Sequence, residues 1–242
     1  MDIINKLKEK QKNPSSAPCV TVAFLGDSIT QGCFEIGRDS EGKLKTTNDY
    51  ENVYHAKFKK IFEKLYPDVP MSIINAGISG TTSWESLERL ERDVLIHKPD
   101  LCVVSFGAND AHCDGGTREE DFYNSLMEIA KKLKENGSEV IFMSTAMNCT
   151  KINPEIKDDG FIKIAHSVRE MQTSGRLKKF SDIMGKAAID SGVVFCDCYR
   201  KWEKLFESGV DIDRLLSNNI NHPDREMHLL FAVSLVEIIF NN

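Results

Sequence analysis

Four short polar segments of the chain hold a serine, a glycine, an asparagine and a histidine whose types together suit one kind of chemistry. They are Gly26-Asp27-Ser28-Ile29, Ile78-Ser79-Gly80-Thr81-Thr82, Gly107-Ala108-Asn109-Asp110 and Asn219-Ile220-Asn221-His222-Pro223. The chemistry is nucleophilic attack on a carbonyl. A serine hydroxyl attacks only when a base takes its proton, and a neutral imidazole with a pKa near the working pH suits that task. Ser28 is therefore the candidate nucleophile and His222 the candidate base. Gly80 lets backbone approach a substrate closely, and Asn109 offers a neutral donor that does not titrate. Each residue alone has an ordinary structural use: a helix cap, a positive-φ turn, a turn closure, a surface histidine before Pro223. Their joint occurrence, each after a suitable element, favours the chemistry.

The elements that must position them read as strands alternating with helices. Residues 20–25, Val-Thr-Val-Ala-Phe-Leu, form a continuous apolar run of the kind buried on both faces of a sheet. Gly26 breaks the run and leaves Ser28 at the strand's carboxyl end, where open parallel sheets bind ligands. Residues 33–47 read as a polar loop, and 48–65 as an amphipathic helix with Tyr54, Phe58, Ile61, Phe62 and Leu65 at helical spacing. Further strands are expected at 71–75, 101–106, 139–145 and 193–196. Thr82-Ser83-Trp84-Glu85 and Thr117-Arg118-Glu119-Glu120 look like capping boxes that open two helices, the second ending at Asn136-Gly137. Residues 146–179 show few clear periods, and a last helix is expected over 224–240. The pattern predicts one domain over 1–242, with 1–17 as a polar extension: a three-layer α/β/α sandwich around a flavodoxin-like, five-stranded parallel sheet.

Composition narrows the partners. A chain of 242 residues, 41% hydrophobic and 28% charged, can bury a core without cofactors or disulfides. Its net charge of -6 argues against nucleic acid, and no segment approaches the roughly 20 apolar residues of a membrane helix. Seven cysteines in no framework spacing, with no signal-like apolar stretch at the start, fit a reducing compartment, so a cytoplasmic location is expected. Cys196 and Cys198 would share a strand face as reduced core thiols. His112-Cys113-Asp114 and the pair His222 and His228 lack the spacing of a four-ligand metal site, so no metal or cofactor is expected. His228 reads as a packed residue of the last helix. Nothing in the sequence separates a monomer from an oligomer.

With the four segments on the page, the sequence resembles the SGNH hydrolases, the GDSL esterase and lipase family. Its blocks centre on the positions held here by Ser28, Gly80, Asn109 and His222, in the same order, from Gly26 to Pro223. The resemblance implies an acyl-enzyme on Ser28, oxyanion donors from the Ser28 and Gly80 amides and the Asn109 side chain, and His222 as base. It implies a small-molecule or carbohydrate ester as substrate, with short acyl groups favoured by the polar 33–47 and 146–179 segments expected to wall the cleft. The family pattern places Asp three residues before the histidine; this chain has Asn219 there. Asn219, by main chain or side chain, is the expected orienting residue of His222, with Asp197, Asp224 and Glu226 as alternatives. An acyltransferase or thioesterase using the same residues, and a flavodoxin-like binding module without catalysis, are the rival readings.

Overall fold

The apolar runs of the sequence become the strands of one parallel sheet in a computed structural model that describes residues 1–112 and 118–242. In chain order the elements are α1 (Asp2–Lys12), β1 (Val20–Gly26), α2 (Ser28–Gln31), β2 (Cys33–Arg38), β3 (Leu44–Asn48), α3 (Tyr54–Leu65), β4 (Met71–Gly77), α4 (Ser83–Asp93), β5 (Leu101–Ser105) and α5 (Ala108–His112). There follow α6 (Arg118–Glu135), β6 (Glu139–Met143), α7 (Asp159–Thr173), α8 (Arg176–Ser191), β7 (Val194–Cys196), α9 (Cys198–Glu207) and α10 (His228–Asn241).

The five-stranded sheet runs β4-β1-β5-β6-β7. The chain leaves β1 toward one side, reaches β4, and then crosses back over β1 to β5 on the other side. Such a reversal opens a crevice at the carboxyl ends of the two strands it separates. Here they are β1 and β5, and register pairs Gly26 with both Ser105 of β5 and Gly77 of β4. The three loops that carry Ser28, Gly80 and Asn109 therefore start level with one another. Val22, Ala23, Phe24 and Leu25 of β1 and all of β5 are buried, as continuous apolar strands require. α3, α9 and α10 pack on one side, α4, α6 and α8 on the other, giving the three-layer sandwich. No helix among the described residues is long and apolar enough to cross a membrane.

The structure departs from the sequence reading in several places. Residues 33–47 are not a loop but most of the antiparallel hairpin β2–β3. Its strands are largely solvated, so they carry no apolar face for periodicity to detect. The signal lies in the turn, where Asp39 Oδ1 accepts from the amides of Glu41 and Lys43 at 2.9 Å each. The helix expected from residue 48 starts only at Tyr54, because Asn48 still belongs to the hairpin. The polar 1–17 stretch contains α1, which buries Ile3 and Leu7; Glu139 caps it by accepting from the amides of Asp2 and Ile3 at 2.8 and 2.7 Å. Inside 146–179, Asp158 caps α7 by accepting from the Gly160 and Phe161 amides. The Thr82–Glu85 capping box forms reciprocally; Thr117, Cys113 and Asp114 lie outside the described residues. Cys196 and Cys198 are buried free thiols 3.8 Å apart, and His228 is fully buried beside Phe34, Tyr54 and Phe231.

Candidate active site

Ser28 owes its position to two glycines and a cap. A β-carbon at Gly26 would stand 2.7 Å from Thr30 Cβ and 2.8 Å from the Ser105 carbonyl oxygen, and one at Gly77 would stand 2.6 Å from the Thr30 carbonyl carbon. α2 thus rests directly on the ends of β1 and β4. Asp27 caps it, its Oδ1 accepting from the Ile29 amide at 3.0 Å, and Gly32, at φ +96°, ends it after four residues. Burial pushes the Asp27 carboxyl up to about 7. Ser28 is left at the rim of the β1–β5 crevice, with its Oγ 2.9 Å from His222 Nε2.

The other ring nitrogen fixes the proton. His222 Nδ1 lies 3.2 Å from the main-chain oxygen of Phe34. A carbonyl can only accept, so Nδ1 carries the hydrogen and the neutral ring keeps a lone pair on Nε2 for the Ser28 hydroxyl. Burial pushes the His222 pKa down to about 4, so the ring is neutral at pH 7. The loop that presents it is wound around Asn218, whose Oδ1 accepts from the amides of Ile220, Asn221 and His222 at 2.9–3.0 Å.

Asn219 does not take the orienting place. It adopts a left-handed backbone with φ +58°, and its Oδ1 accepts from Asn153 Nδ2 at 2.8 Å, away from the imidazole. Asp197 caps α9 through the Arg200 amide, and Asp224 accepts from the Met227 amide. Among the described residues the Nδ1 partner is the Phe34 carbonyl, delivered by the hairpin that had read as a loop.

Three loops are stitched together around Ser28. The Ile78 amide donates to the Gly26 carbonyl at 3.1 Å, and the Ser79 amide to Gln31 Oε1 at 2.7 Å. Gly80 follows at φ +80°, with open space where a side chain would stand. Asn109 Nδ2 donates to the Thr81 carbonyl at 3.0 Å, which fixes the amide plane with one hydrogen and leaves the second to point elsewhere. Asp110 accepts from the Ser83 amide, the Ser83 hydroxyl and the Gly107 amide at 2.7–3.0 Å, locking the loop after β5 to the start of α4. Burial pushes its pKa up to about 6 against those three donors, so it is a carboxylate at neutral pH. Beneath them the buried Arg89 donates to the carbonyls of Gly26 and Ala76 at 3.0 and 2.7 Å, joining the ends of β1 and β4. Among the described residues the amides of Ser28 and Gly80 donate to no protein acceptor. With the Asn109 side chain they form a set of donors with spare capacity. Asn109→Ala is expected to lower kcat by roughly a hundred- to a thousandfold with little change in KM, measured on a chromogenic ester.

Phe34, Gln31, Arg89 and Asp110 are the site residues that sequence reasoning missed. Asp110 had a signal, since it adjoins Asn109 in its block. Phe34 acts through its own main-chain oxygen, which leaves no mark on residue type, and the Gln31 and Arg89 side chains act on main-chain amides and carbonyls whose positions the sequence does not show.

The model of the GDSL-like lipase/acylhydrolase family matches residues 24–230, nearly the whole described site and sheet. The chain belongs to this family. Among its relatives are an acetylxylan esterase from Geobacillus stearothermophilus, 33% identical over 87 residues, and an arylesterase from Vibrio mimicus, 27% identical over 118 residues. The matches cover 36% and 46% of this chain but only 38% and 58% of those proteins. Solved structures extend the likeness in fold to almost the full length. An acetylxylan esterase from G. stearothermophilus superposes with a TM-score of 0.63 at 20% identity, covering 91% of this chain and 94% of that one. A lipase/acylhydrolase from Enterococcus faecalis gives 0.65 at 21% identity, covering 92% and 96%. Members of the family thus share this three-layer sandwich at low identity.

Proposed function

We propose that this chain is a serine ester hydrolase that removes short acyl groups, acetyl above all, from a carbohydrate or another small ester. The observation that carries the reading is the 2.9 Å contact of Ser28 Oγ with an imidazole nitrogen whose tautomer leaves it free to accept. His222 takes the Ser28 proton as Oγ attacks the ester carbonyl, and gives it to the departing alcohol. Water then attacks the acyl-Ser28, with His222 again as base. The negative charge on the carbonyl oxygen in both steps is met by the amides of Ser28 and Gly80 and by Asn109.

Two observations support the substrate class. The relatives named above are esterases of acetylated xylan and of aryl esters. Beside the His222 loop runs a groove of about 330 Å³ lined by Glu35, Glu155, Asp158, Phe161, Asn218 and Asn219 among others. Carboxylates and amides at such a rim suit a hydroxyl-rich leaving group better than a long hydrocarbon chain. The test is acetate release from acetylated xylooligosaccharides, run beside p-nitrophenyl esters of increasing acyl length. Acetyl turnover that exceeds octanoyl turnover, with water as acceptor even when alcohols compete, is expected. Preference for the long chain, or release only to an alcohol or from a thioester, would overturn it.

A further inference from the structure

We infer that Arg225 is the positioning residue of the imidazole: it fixes the peptide whose carbonyl stands where a triad carboxylate would. This rests on the reading of Ser28 and His222 as nucleophile and base. A carboxylate triad member is held through its own side chain, but a carbonyl is held by the chain around it and by the groups that donate to it. The Phe34 ring is buried against His228, while the hairpin beyond it is largely solvated, so its peptide with Glu35 stands at the boundary between core and solvent.

Arg225 holds this peptide from three directions. Its two terminal nitrogens donate to the two carboxylate oxygens of Glu35, the residue after Phe34, at 2.5 and 3.2 Å. Its Nε donates at 2.8 Å to Asp49, which follows β3, and the guanidinium carbon lies 4.5 Å from the centre of the Phe34 ring. Asp49 in turn donates its amide to the Gly32 carbonyl at 2.8 Å, at the end of the helix that carries Ser28. The guanidinium therefore ties the Phe34–Glu35 peptide, the end of the hairpin and the nucleophile helix to the chain three residues beyond His222. The Ser217 hydroxyl, on the other side of the same loop, donates to the Phe34 oxygen at 2.7 Å. A planar fork can hold such a set of partners; an ammonium cannot.

The experiment measures kcat and KM on p-nitrophenyl acetate, and the rate of Ser28 labelling by a fluorophosphonate, in wild-type, Arg225→Met and Glu35→Gln proteins. Near-UV circular dichroism and a melting curve establish the folded fraction at the assay temperature. The expected result is a fall of about ten- to a hundredfold in both kcat and labelling rate, with KM within about twofold, in protein that is fully folded. Glu35→Gln, which breaks one ion pair and keeps the Arg225 stem on Phe34, decides the matter if Arg225→Met does not fold. Folded variants that label at the wild-type rate, or that change KM alone, would show the ion pairs to be merely structural and overturn the inference. Wild-type protein that takes no label would overturn it together with the hydrolase reading, whereas labelled wild type beside unaffected variants removes this inference only.

Discussion

Ser28→Ala protein is expected to lose nearly all release of acetate from p-nitrophenyl acetate and to take no fluorophosphonate label, while folding as the wild type does. The loss in kcat is on the order of 10⁴- to 10⁶-fold, because the covalent route vanishes and only the oxyanion donors remain. The fold survives because the hydroxyl's one described side-chain bond is to His222 Nε2. Losing it leaves a buried ring nitrogen without a partner, a cost of about 1–3 kcal/mol. The cap from Asp27 and the packing on Gly26 and Gly77 involve no atom of the Ser28 side chain. The comparison also decides between a hydrolase and a binding module of the same fold. A protein that only binds gives equal, unlabelled wild type and variant.

His222→Gln is expected to lower kcat/KM by roughly 10⁴-fold, since glutamine can hold the hydroxyl but cannot accept its proton. The wild-type pH profile supplies the second half of this prediction. The neutral ring is the active form, and burial holds its pKa near 4 instead of the usual 6.5. Activity on p-nitrophenyl acetate, as kcat/KM, should therefore stay level from pH 7 down through 6.5 and fall as pH drops through about 4. A profile that halves near 6.5 in wild type, and equally in Asp27→Asn and Asp110→Asn proteins, which remove the carboxyls that burial raises to about 7 and about 6, would show that the free enzyme's ring is solvated and not held as found here. The Phe34 carbonyl bears on the size of the rate. Replacing the orienting carboxylate by an amide in serine proteases is costly chiefly through the wrong tautomer. A carbonyl sets the right tautomer but brings no full charge to meet the imidazolium that forms as Ser28 attacks.

How far the sequence discloses this molecule depends on whether a feature is written in side chains. The strands were readable because β1 and β5 are buried on both faces and must be apolar throughout. The Thr82–Glu85 cap was readable because both partners are side chains at fixed spacing. Ser28, Gly80, Asn109 and His222 were readable together because their residue types are the ones the chemistry uses. The hairpin escaped because a solvated ribbon has no apolar face, and with it escaped Phe34, whose contribution is an oxygen that every residue possesses. Asn219 drew the reading because it stands where a carboxylate would, yet its left-handed backbone turns it to Asn153. Arg89 has the residue type of any charged helix position, and only its carbonyl partners at the ends of β1 and β4 distinguish it.

The two glycines under α2 have a meaning that goes beyond fit. In water, a nascent alkoxide must wait for solvent dipoles to turn toward it, and that turning is a large part of the barrier. With no methyl group at Gly26 or Gly77, the helix settles onto the strand ends during folding, and the Ser28 amide is oriented along with it. The dipoles that meet the oxyanion are thus turned once, when the chain folds, and need not turn again at each turnover.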